Sequence, residues 1–388
     1  MGHVEELAER ARATGKLGID TEFMGEGRYR ALLCLVQVAV DHGEMVEVLD
    51  PLEGGLDPRP LAEVLADPEI EIVMHAGRQD VALLRRVWET EVTNVFDTQI
   101  AAGFAGLRAQ LGYEALLSEV IGMRLRKSAS FTKWDARPLS PEQVEYARED
   151  VLHLLQLAQA LQDRLDAMGR LDWAREECRF LEDATDVRDV DTVFARLPRI
   201  NSLDPLQRAV ARELVAWREQ TAREADRPNQ TVLQDAGLVE IAKRRPKSLE
   251  RLKQIRGVNE GTLHRRGKQL IEVVERALEH DAIPVEGERP AQPHPADAVL
   301  IALGEALVRA RALESGIAYE LIAAKADLQR IALAVRDGRA EPDVRTLQGW
   351  RRELVGAELL ELLGGGLTLG VGPDRRLQVD TRPLTADA

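Results

Sequence analysis

The chain has 388 residues, of which 45% are hydrophobic, and its formal net charge is −14. This length accommodates two or three domains with separate cores, and the negative charge argues against a protein that binds nucleic acid over its whole surface. Cys34 and Cys178 are too few for a disulfide framework or a thiolate zinc site, and no apolar run approaches the roughly 18 residues that span a bilayer. We therefore expect a monomeric protein of the reducing cytoplasm that makes no membrane contact.

Residues 1–180 combine strand and helix patterns. The segment before Lys16 predicts a short amphipathic helix, and apolar runs predict strands at 17–19 leading into Asp20, and at 32–40, 44–49, 70–74 and 95–96. Helical spacing predicts helices at 61–65, 79–87, 97–105, 113–121 and 141–168. Short loops favour antiparallel pairing of the first strands, and the strand–helix–strand order that follows is typical of parallel pairing. We therefore predict an α/β domain with a mixed sheet flanked by helices.

The rest of the chain is predicted to be mostly helical. Apolar residues recur at helical spacing from Leu206 to Trp217, directly after the capping pair Asp204-Pro205. Four prolines between Pro284 and Pro295 disfavour both helix and sheet. The predicted order after the first domain is a helical domain at 200–281, a linker at 282–295, a second helical domain at 296–370 and a tail at 371–388.

Charge is unevenly distributed along the chain. Residues 201–280 contain 16 Lys and Arg against 12 Asp and Glu, so this region is basic although the chain is acidic. Within 243–268 only Glu250 and Glu260 are acidic, and the basic residues are Lys243, Arg244, Arg245, Lys247, Arg251, Lys253, Arg256, Arg265, Arg266 and Lys268. Such a run is found on solvated helix faces and on surfaces that bind phosphates, and the run alone does not choose between them.

Four carboxylates and one phenol occur at informative spacings. Alternation along a strand points Asp20 and Glu22 to one face, and a four-residue spacing on a helix places Tyr146 beside Asp150. Asp80 lies near the start of a predicted helix, where the helix dipole by itself favours an acidic residue. Each pattern alone is common on solvated surfaces. Together they supply the oxygen ligands that hard divalent cations prefer, as in metal-dependent cleavage of phosphodiesters.

The segments around these residues read IDTEF at 19–23, MHAGRQD at 74–80 and YAREDV at 146–151. In this order they resemble the DEDD 3′–5′ exonucleases, in the tyrosine-containing subgroup, and within it the ribonuclease D family. FDTQ at 96–99 and the stretch from Lys127-Ser128 to WDARPL at 134–139 also resemble that family. The resemblance covers about residues 17–160 and implies a ribonuclease H-like fold. Family members usually have another strand before the first motif, so either the start of this chain is trimmed or the edge of its sheet differs.

The resemblance implies that Asp20, Glu22, Asp80, Tyr146 and Asp150 form a catalytic centre. Asp20 would bridge two divalent cations, Mg²⁺ or Mn²⁺. Glu22 and Asp150 would complete the site of the ion that activates a water molecule, and Asp80 would hold the other ion. Tyr146 would orient or deprotonate that water. The implied reaction is the hydrolysis of RNA from its 3′ end, including structured RNA or tRNA precursors, to nucleoside 5′-monophosphates.

Residues 201–278 resemble an HRDC domain, the helical module that follows the nuclease domain in ribonuclease D. The resemblance is carried by LVAWR at 214–218, RPN at 227–229, LERL at 249–252 and IRGV at 255–258. It favours RNA binding by the basic run, and residues 296–363 look like a diverged second copy. The candidate substrate contacts are Phe23 and Met24, which also suit core packing, and the basic residues Lys243, Arg244, Arg245, Lys247 and Lys253.

Two other functions fit the same residues. A DNA-directed proofreading or repair exonuclease would share the metal site, although the HRDC arrangement favours RNA. A non-catalytic RNA-binding protein would retain the fold, although the five intact positions argue against it. Three residues near the motifs have simpler structural explanations, since His75 and His153 are poor ligands for a hard cation and Asp97 is placed to cap the next helix.

Overall fold

The computed structural model describes residues 3–108, 110–125, 133–284 and 294–381. Lys127 and Ser128 of the family-like connector, residues 285–293 of the predicted linker and residues 382–388 of the predicted tail lie outside the described residues. Within the described ranges, no helix is both long and apolar enough to cross a lipid bilayer.

A five-stranded mixed sheet forms the centre of the first domain. Its strands are β1 Lys16–Met24, β2 Leu32–Val40, β3 Met45–Leu49, β4 Glu71–Met74 and β5 Val95–Asp97, in the spatial order β3-β2-β1-β4-β5. β1 pairs antiparallel with β2 and parallel with β4, so the pairing sense changes at the central strand. β2 and β3 are antiparallel, and β4 and β5 are parallel. The predicted α/β class and mixed sheet are confirmed.

Helices cover both faces of this sheet. Those that the structure describes are α1 His3–Thr14, α2 Arg59–Leu65, α3 Arg78–Val87, α4 Thr98–Phe104, α5 Tyr113–Val120, α6 Pro141–Leu152, α7 Leu154–Ala167 and α8 Leu171–Glu182, with a 3₁₀ turn at Asp41–Gly43. Leu17 and Ile19 of β1 are buried with the apolar residues of α1, α2 and α3. Gly18 faces the other way, toward Leu155 of α7. Successive residues of β1 therefore face different helical layers, as alternation along a strand requires.

The helix predicted over 141–168 is two helices. His153, with φ −110° and ψ 8°, separates α6 from α7. The break allows α6 to pack across β1, β2 and β3 while α7 packs against α4 and α8. The periodicity did not reveal it because apolar residues such as Val151, Leu154 and Leu155 keep helical spacing through the break.

The second domain is a helical bundle, as predicted. Its helices are α10 Pro205–Glu224, α11 Asn229–Val232, α12 Asp235–Arg244, α13 Leu249–Lys253 and α14 Glu260–Ala277, with a 3₁₀ turn at Ile200–Ser202, and α9 Val190–Ala195 lies in the connector that precedes them. The side chain of Asp204 accepts a hydrogen bond from the backbone of Gln207 and Pro205 takes the first helical position, which confirms the predicted cap of α10. Apolar residues of α10, α12 and α14 form a core of their own.

A third helical unit follows. It contains α15 Pro295–Ser315, α16 Tyr319–Ile322, α17 Lys325–Arg336, α18 Gly349–Arg351 and α19 Ala357–Leu363, with a 3₁₀ turn at Arg345–Leu347 and a π-helical segment at Arg352–Gly356. Its first three helices repeat the order of α10, α11 and α12, which is a long helix, a helix of four residues and a helix of intermediate length. A diverged second copy of the second domain would have this order.

The structure differs from the prediction at the end of the chain. Strands β6 Leu367–Val371 and β7 Leu377–Thr381 pair as an antiparallel hairpin, so the boundary predicted at residue 370 falls inside a strand. The glycines at 364–366 form the turn that leads into β6. The sequence did not indicate this hairpin because a glycine run is equally typical of a flexible segment.

Trp350 joins the third unit to the first domain. Its side chain is 1% exposed, meets Phe104 of α4 edge-on at a ring-centroid distance of 4.8 Å and stacks on Trp173 of α8 at 5.8 Å. Beside it, Arg351 forms an ion pair with the buried Glu177 of α8 at 2.7 Å. One hydrophobic core therefore runs through the first domain and the third unit.

We expect Trp350→Ala to lower the free energy of unfolding by about 3–5 kcal/mol, the usual cost of truncating a buried tryptophan. Urea denaturation measures this change. Leu313→Ala in the same unit, at a side chain that is 85% exposed, is the control and should change stability by no more than about 0.5 kcal/mol. A decrease below about 1 kcal/mol for Trp350→Ala would contradict a shared core.

Candidate active site

β1, α3 and α6 bring the four predicted carboxylates together. Asp20 and Glu22 lie on one face of β1, Asp80 lies in the first turn of α3, and Asp150 lies in the last turn of α6. The carboxylate of Asp20 interacts electrostatically with the other three, and that of Glu22 interacts with Asp150 and Asp80. Residues far apart in sequence thus share one electrostatic site.

Burial and mutual repulsion raise the pKa of these carboxyl groups. Burial is the larger cause at Asp20, whose pKa is well above its usual value, and repulsion by Asp80, Asp150 and Glu22 adds to it. Burial followed by the charges of Asp150 and Asp80 raises the pKa of Glu22 to about 8. Burial also raises the pKa of Asp80 to about 6, and burial with the neighbouring Glu149 raises that of Asp150 to about 7. A bound cation would offset the cost of burying these charges and would reduce the repulsion between them.

Thr21 fixes the position of Asp80. It lies between Asp20 and Glu22 on β1, so its side chain points to the opposite face, toward α3. There its hydroxyl donates a hydrogen bond to Oδ1 of Asp80, and both side chains are buried. The first motif therefore contributes a support for the carboxylate of the second motif, in addition to its own two carboxylates.

The loop between β4 and α3 also positions Asp80. A Cβ atom at Gly77 would lie 2.6 Å from the sulfur of Met74, so glycine is required at this close approach. The N–H of Gly77 donates to Oδ2 of Asp97 at 2.8 Å. The other oxygen of Asp97 accepts hydrogen bonds from the backbone of Gln99 and Ile100, which confirms that Asp97 caps α4. One buried carboxylate thus holds the start of α4 and the loop before α3.

A capping box fixes the start of α6. The side chain of Ser140 accepts a hydrogen bond from the backbone N–H of Gln143, whose own side chain accepts from the backbone of Ser140. From this start, the four-residue spacing places Tyr146 and Asp150 on one face of α6. The predicted pair is therefore presented together toward β1.

Tyr146 lies beside the carboxylates. Its ring is 5.9 Å from that of Trp134 between centroids, in a small cluster that includes Met24. Burial, followed by the charges of Asp150, Glu22 and Asp20, raises the pKa of its phenol to about 12. The structure thus brings all five residues of the predicted centre into one electrostatic environment.

Two further side chains near the site escaped the sequence analysis. Gln37 of β2 is directly opposite Asp20, is fully buried, and has no hydrogen-bond partner for either amide atom among the described residues. Tyr113 of α5 has a pKa raised by burial and by the charges of Asp150 and Asp20. A single glutamine within the apolar strand LLCLVQVAV is a signal that could have identified Gln37, whereas nothing in the sequence around Tyr113 marks it.

The remaining candidates near the motifs have structural contacts. Phe23 packs on the α3 side of the sheet and Met24 packs in the cluster on the other side. Nδ1 of His75 is 2.9 Å from the hydroxyl of Thr98, and burial lowers the pKa of this histidine. His153 forms the break between α6 and α7. The structural roles predicted for both histidines agree with these contacts.

The predicted basic run divides into two groups. Lys243 and Arg244, at the end of α12, lie 3.8 and 3.4 Å from the carboxylate of Glu240. Arg245 directly follows the last residue of α12, and Lys247 is exposed in the next loop. Lys253 lines a cleft of about 600 Å³ with Arg265 and Lys268 of α14.

A second cleft, of about 400 Å³, connects the basic run to the first domain. It lies between Gly27, in the loop after β1, and Arg227, Arg265 and Arg266 of the second domain. Arg227 was not among the candidates because it lies outside the basic run. The structure thus places part of the basic run beside the loop that follows the first motif.

Tyr29 anchors this loop to the second domain. Its hydroxyl donates to Oε2 of Glu219 in α10 at 3.0 Å, and its backbone N–H donates to Oδ1 of Asp226 at 3.1 Å. Arg28 adds an ion pair with Asp226 at 2.9 Å. Tyr29 is buried against Ala222 and Val232. The second domain is therefore fixed to the loop that directly follows β1.

The donor set suits a hard divalent cation. In the part of the chain that the structure describes, no three carboxylate, imidazole or thiol groups are already grouped closely enough to ligate one ion. Asp20, Glu22, Asp80 and Asp150 nevertheless repel one another, and their only ligating atoms are the oxygens that Mg²⁺ and Mn²⁺ prefer. The chemistry of these residues therefore fits such ions.

We expect the metal-free protein to lose stability as pH rises from about 4.5 to about 8. In this range the folded protein retains the proton of Glu22 that the unfolded chain releases, so rising pH favours unfolding. Glu22→Gln has no such proton and should show a smaller decrease in melting temperature across this range. Thermal unfolding in a chelator measures both proteins, with Glu26→Gln, at an exposed carboxylate in the next loop, as control. Equal slopes for wild type and Glu22→Gln would contradict the raised pKa.

Comparisons with known proteins identify the family of the chain. A family model described as 3′–5′ exonuclease matches residues 2–166, and an HRDC domain model matches residues 207–274. Ribonuclease D of Gluconacetobacter diazotrophicus is 39% identical over 374 residues, which cover 95% of this chain and 93% of the relative. Ribonuclease D of Granulibacter bethesdensis is 39% identical over 361 residues, which cover 91% of this chain and 88% of the relative.

A solved structure shares the whole architecture. The crystal structure of Escherichia coli RNase D superimposes with a TM-score of 0.82 at 29% sequence identity, covering 93% of this chain and 96% of that chain. The match includes the exonuclease domain and the helical region that follows it. With its exonuclease and HRDC domains in this order, the chain belongs to the ribonuclease D family and is a 3′–5′ exonuclease.

Proposed function

We propose that the chain removes nucleotides one at a time from the 3′ ends of RNA and releases nucleoside 5′-monophosphates, in a hydrolysis that requires two Mg²⁺ or Mn²⁺ ions. The electrostatic convergence of Asp20, Glu22, Asp80 and Asp150 beside Tyr146 carries this proposal. Four carboxylates by themselves would repel a phosphodiester. With two dications bound, the same site would attract one.

Each residue has a proposed role. Asp20 interacts electrostatically with the other three carboxylates and would help to hold both ions, Glu22 and Asp150 would hold one ion, and Asp80 would hold the other. The chemistry that bound cations supply at such a site is a lowered pKa for the attacking water and stabilisation of the attacking and leaving oxygens. Tyr146 would orient the water. A free phenol has a pKa of about 10 and is protonated at neutral pH, so it is a hydrogen-bond donor more readily than a base.

A relative supports the proposed substrate class. The E. coli enzyme is described as an exoribonuclease involved in structured RNA processing. The similarity over 93% of this chain supports structured RNA as the substrate here, and we extend the proposal to the 3′ ends of tRNA precursors. The cleft formed by Gly27, Arg227, Arg265 and Arg266 lies beside the loop that follows β1, so RNA bound on the second domain would pass near the carboxylates.

The direct test is digestion of 5′-labelled single-stranded RNA and DNA of one sequence, with and without Mg²⁺ or Mn²⁺. We expect ion-dependent shortening of RNA and an activity about 100-fold or more lower for Asp20→Asn, the scale of removing one group that stabilises charge in a transition state. Glu145→Gln, at an exposed carboxylate of α6, is the matched control and should retain activity. Intact RNA and DNA would show a non-catalytic protein, and shortening of DNA alone would show a DNA-directed enzyme.

A second test compares the two groups of the basic run. We expect Arg265→Gln with Arg266→Gln to weaken RNA binding and to flatten the plot of log affinity against log salt, by about 0.7 for each phosphate that the variant no longer neutralises. Lys243→Gln with Arg244→Gln should flatten this plot less, because both positive side chains lie near the carboxylate of Glu240. Fluorescence anisotropy on the Asp20→Asn protein measures both slopes. Equal slopes for the two double variants would contradict the assignment of RNA binding to α14.

A further inference from the structure

A cavity of about 500 Å³ lies beside the carboxylates and is not used in the mechanism above. Its walls come from the end of β1 and the following loop, from α3, and from residues 184–196, which connect the first domain to the second. Arginines and apolar residues predominate among the side chains that line it. This volume lies within the range of small-ligand sites in proteins.

The cavity has an excess of positive charge. Four arginines line it, and within the described ranges no carboxylate forms an ion pair with any of them; they are Arg30, Arg78, Arg188 and Arg196. The wall also has two carboxylates, each with a partner outside the four arginines. Oδ2 of Asp186 pairs with Arg86 at 2.6 Å while its Oδ1 is buried without a hydrogen-bond partner among the described residues, and Asp189 caps α9 by accepting from the backbone of Thr192. Four arginines against two aspartates leave the wall with a net positive charge.

Tyr29 holds two of these arginines on its ring. The guanidinium carbons of Arg188 and Arg30 lie 5.4 and 6.0 Å from the ring centroid. Nε of Arg30 is also buried without a hydrogen-bond partner among the described residues. A cation held by an aromatic face keeps most of its hydrogen-bond donors, and an arginine donates to phosphate through two parallel bonds.

The remaining wall suits a nucleotide. Phe23, Leu83, Val187 and Val193 supply apolar surface against which a base can pack. The cavity adjoins the active site, because Phe23 directly follows Glu22 and two other lining residues directly precede Asp80. Phe23 packs with Leu17 and Ile19 on the other side of the sheet from Asp20, however, and none of the four carboxylates lines the cavity.

We propose that this cavity binds nucleotide phosphate at a site separate from the carboxylate centre. The phosphate belongs either to a nucleotide of the bound RNA upstream of the cleaved bond or to a released nucleoside 5′-monophosphate. The proposal rests on the proposed function, since it assumes a nucleic-acid substrate. Residues 184–196 connect the two domains, so this site would combine the active-site edge of the first domain with the connector to the second.

The test uses the full chain with Arg188→Gln and Arg196→Gln together. Both side chains are exposed, and Arg179→Gln with Arg199→Gln, at exposed arginines before and after the connector, is the matched control. The variant Arg188→Lys with Arg196→Lys retains both positive charges, so it separates the loss of charge from a change in packing. The readouts are KM for a single-stranded oligoribonucleotide, the salt dependence of its binding, and the affinity for 5′-AMP by equilibrium dialysis.

If the RNA strand occupies the cavity, the glutamine variant should raise KM about tenfold and flatten the salt slope by about 1.4, or about 0.7 for each of two phosphates, while 5′-AMP affinity is unchanged. If the released nucleotide occupies it, the affinity for 5′-AMP should fall about tenfold instead. The lysine version should recover most of either effect. Wild-type values for KM, slope and 5′-AMP affinity in the glutamine variant would overturn the proposal. An inactive wild type would instead overturn the proposed function.

Discussion

Four carboxylates that share one largely buried site repel one another, and the architecture of the first domain is organised around this repulsion. Burial and neighbouring charge raise the pKa of Glu22 to about 8 and that of Asp150 to about 7. Hydrogen bonds support two of the elements that carry these residues. Thr21 points to the opposite face of β1 from Asp20 and Glu22, and there it donates a hydrogen bond to Asp80. A capping box fixes the residue at which α6 begins. These supports keep the four carboxylates close together despite their mutual repulsion. Such an arrangement of charges is typical of functional sites.

The other two units contribute in different ways. Tyr29 fixes the second domain to the loop after β1. Two clefts lie beside this loop, and arginines line both of them. The third unit instead shares a hydrophobic core with the first domain through Trp350. By sequence the second and third units look like two copies of one module. In the structure, the first of them borders the active-site loop and the other packs as part of the scaffold.

The sequence predicted which elements carry the candidate site better than it predicted the packing. Asp20, Glu22, Tyr146 and Asp150 could be selected as candidates because their spacing on a strand and a helix is a local property and the order of their motifs resembles the DEDD exonucleases. The core around Trp350 could not, since the packing that makes it depends on which surfaces meet after folding. The break between α6 and α7 was hidden because apolar periodicity continues through it. The arginine-lined cavity combines three segments distant in sequence, and no single motif marks it.

We propose that the four carboxylates form a centre for two divalent cations. Isothermal titration of the metal-free protein with Mn²⁺ at pH 7, in two buffers with different ionisation enthalpies, tests this proposal directly because it reports both the number of ions and the protons released. We expect two ions to bind with release of protons, because the raised pKa values of about 8 for Glu22 and about 7 for Asp150 leave both groups partly protonated at pH 7, and we expect Asp20→Asn to bind the ions more weakly. Binding without proton release, or with equal affinity in Asp20→Asn, would contradict the account.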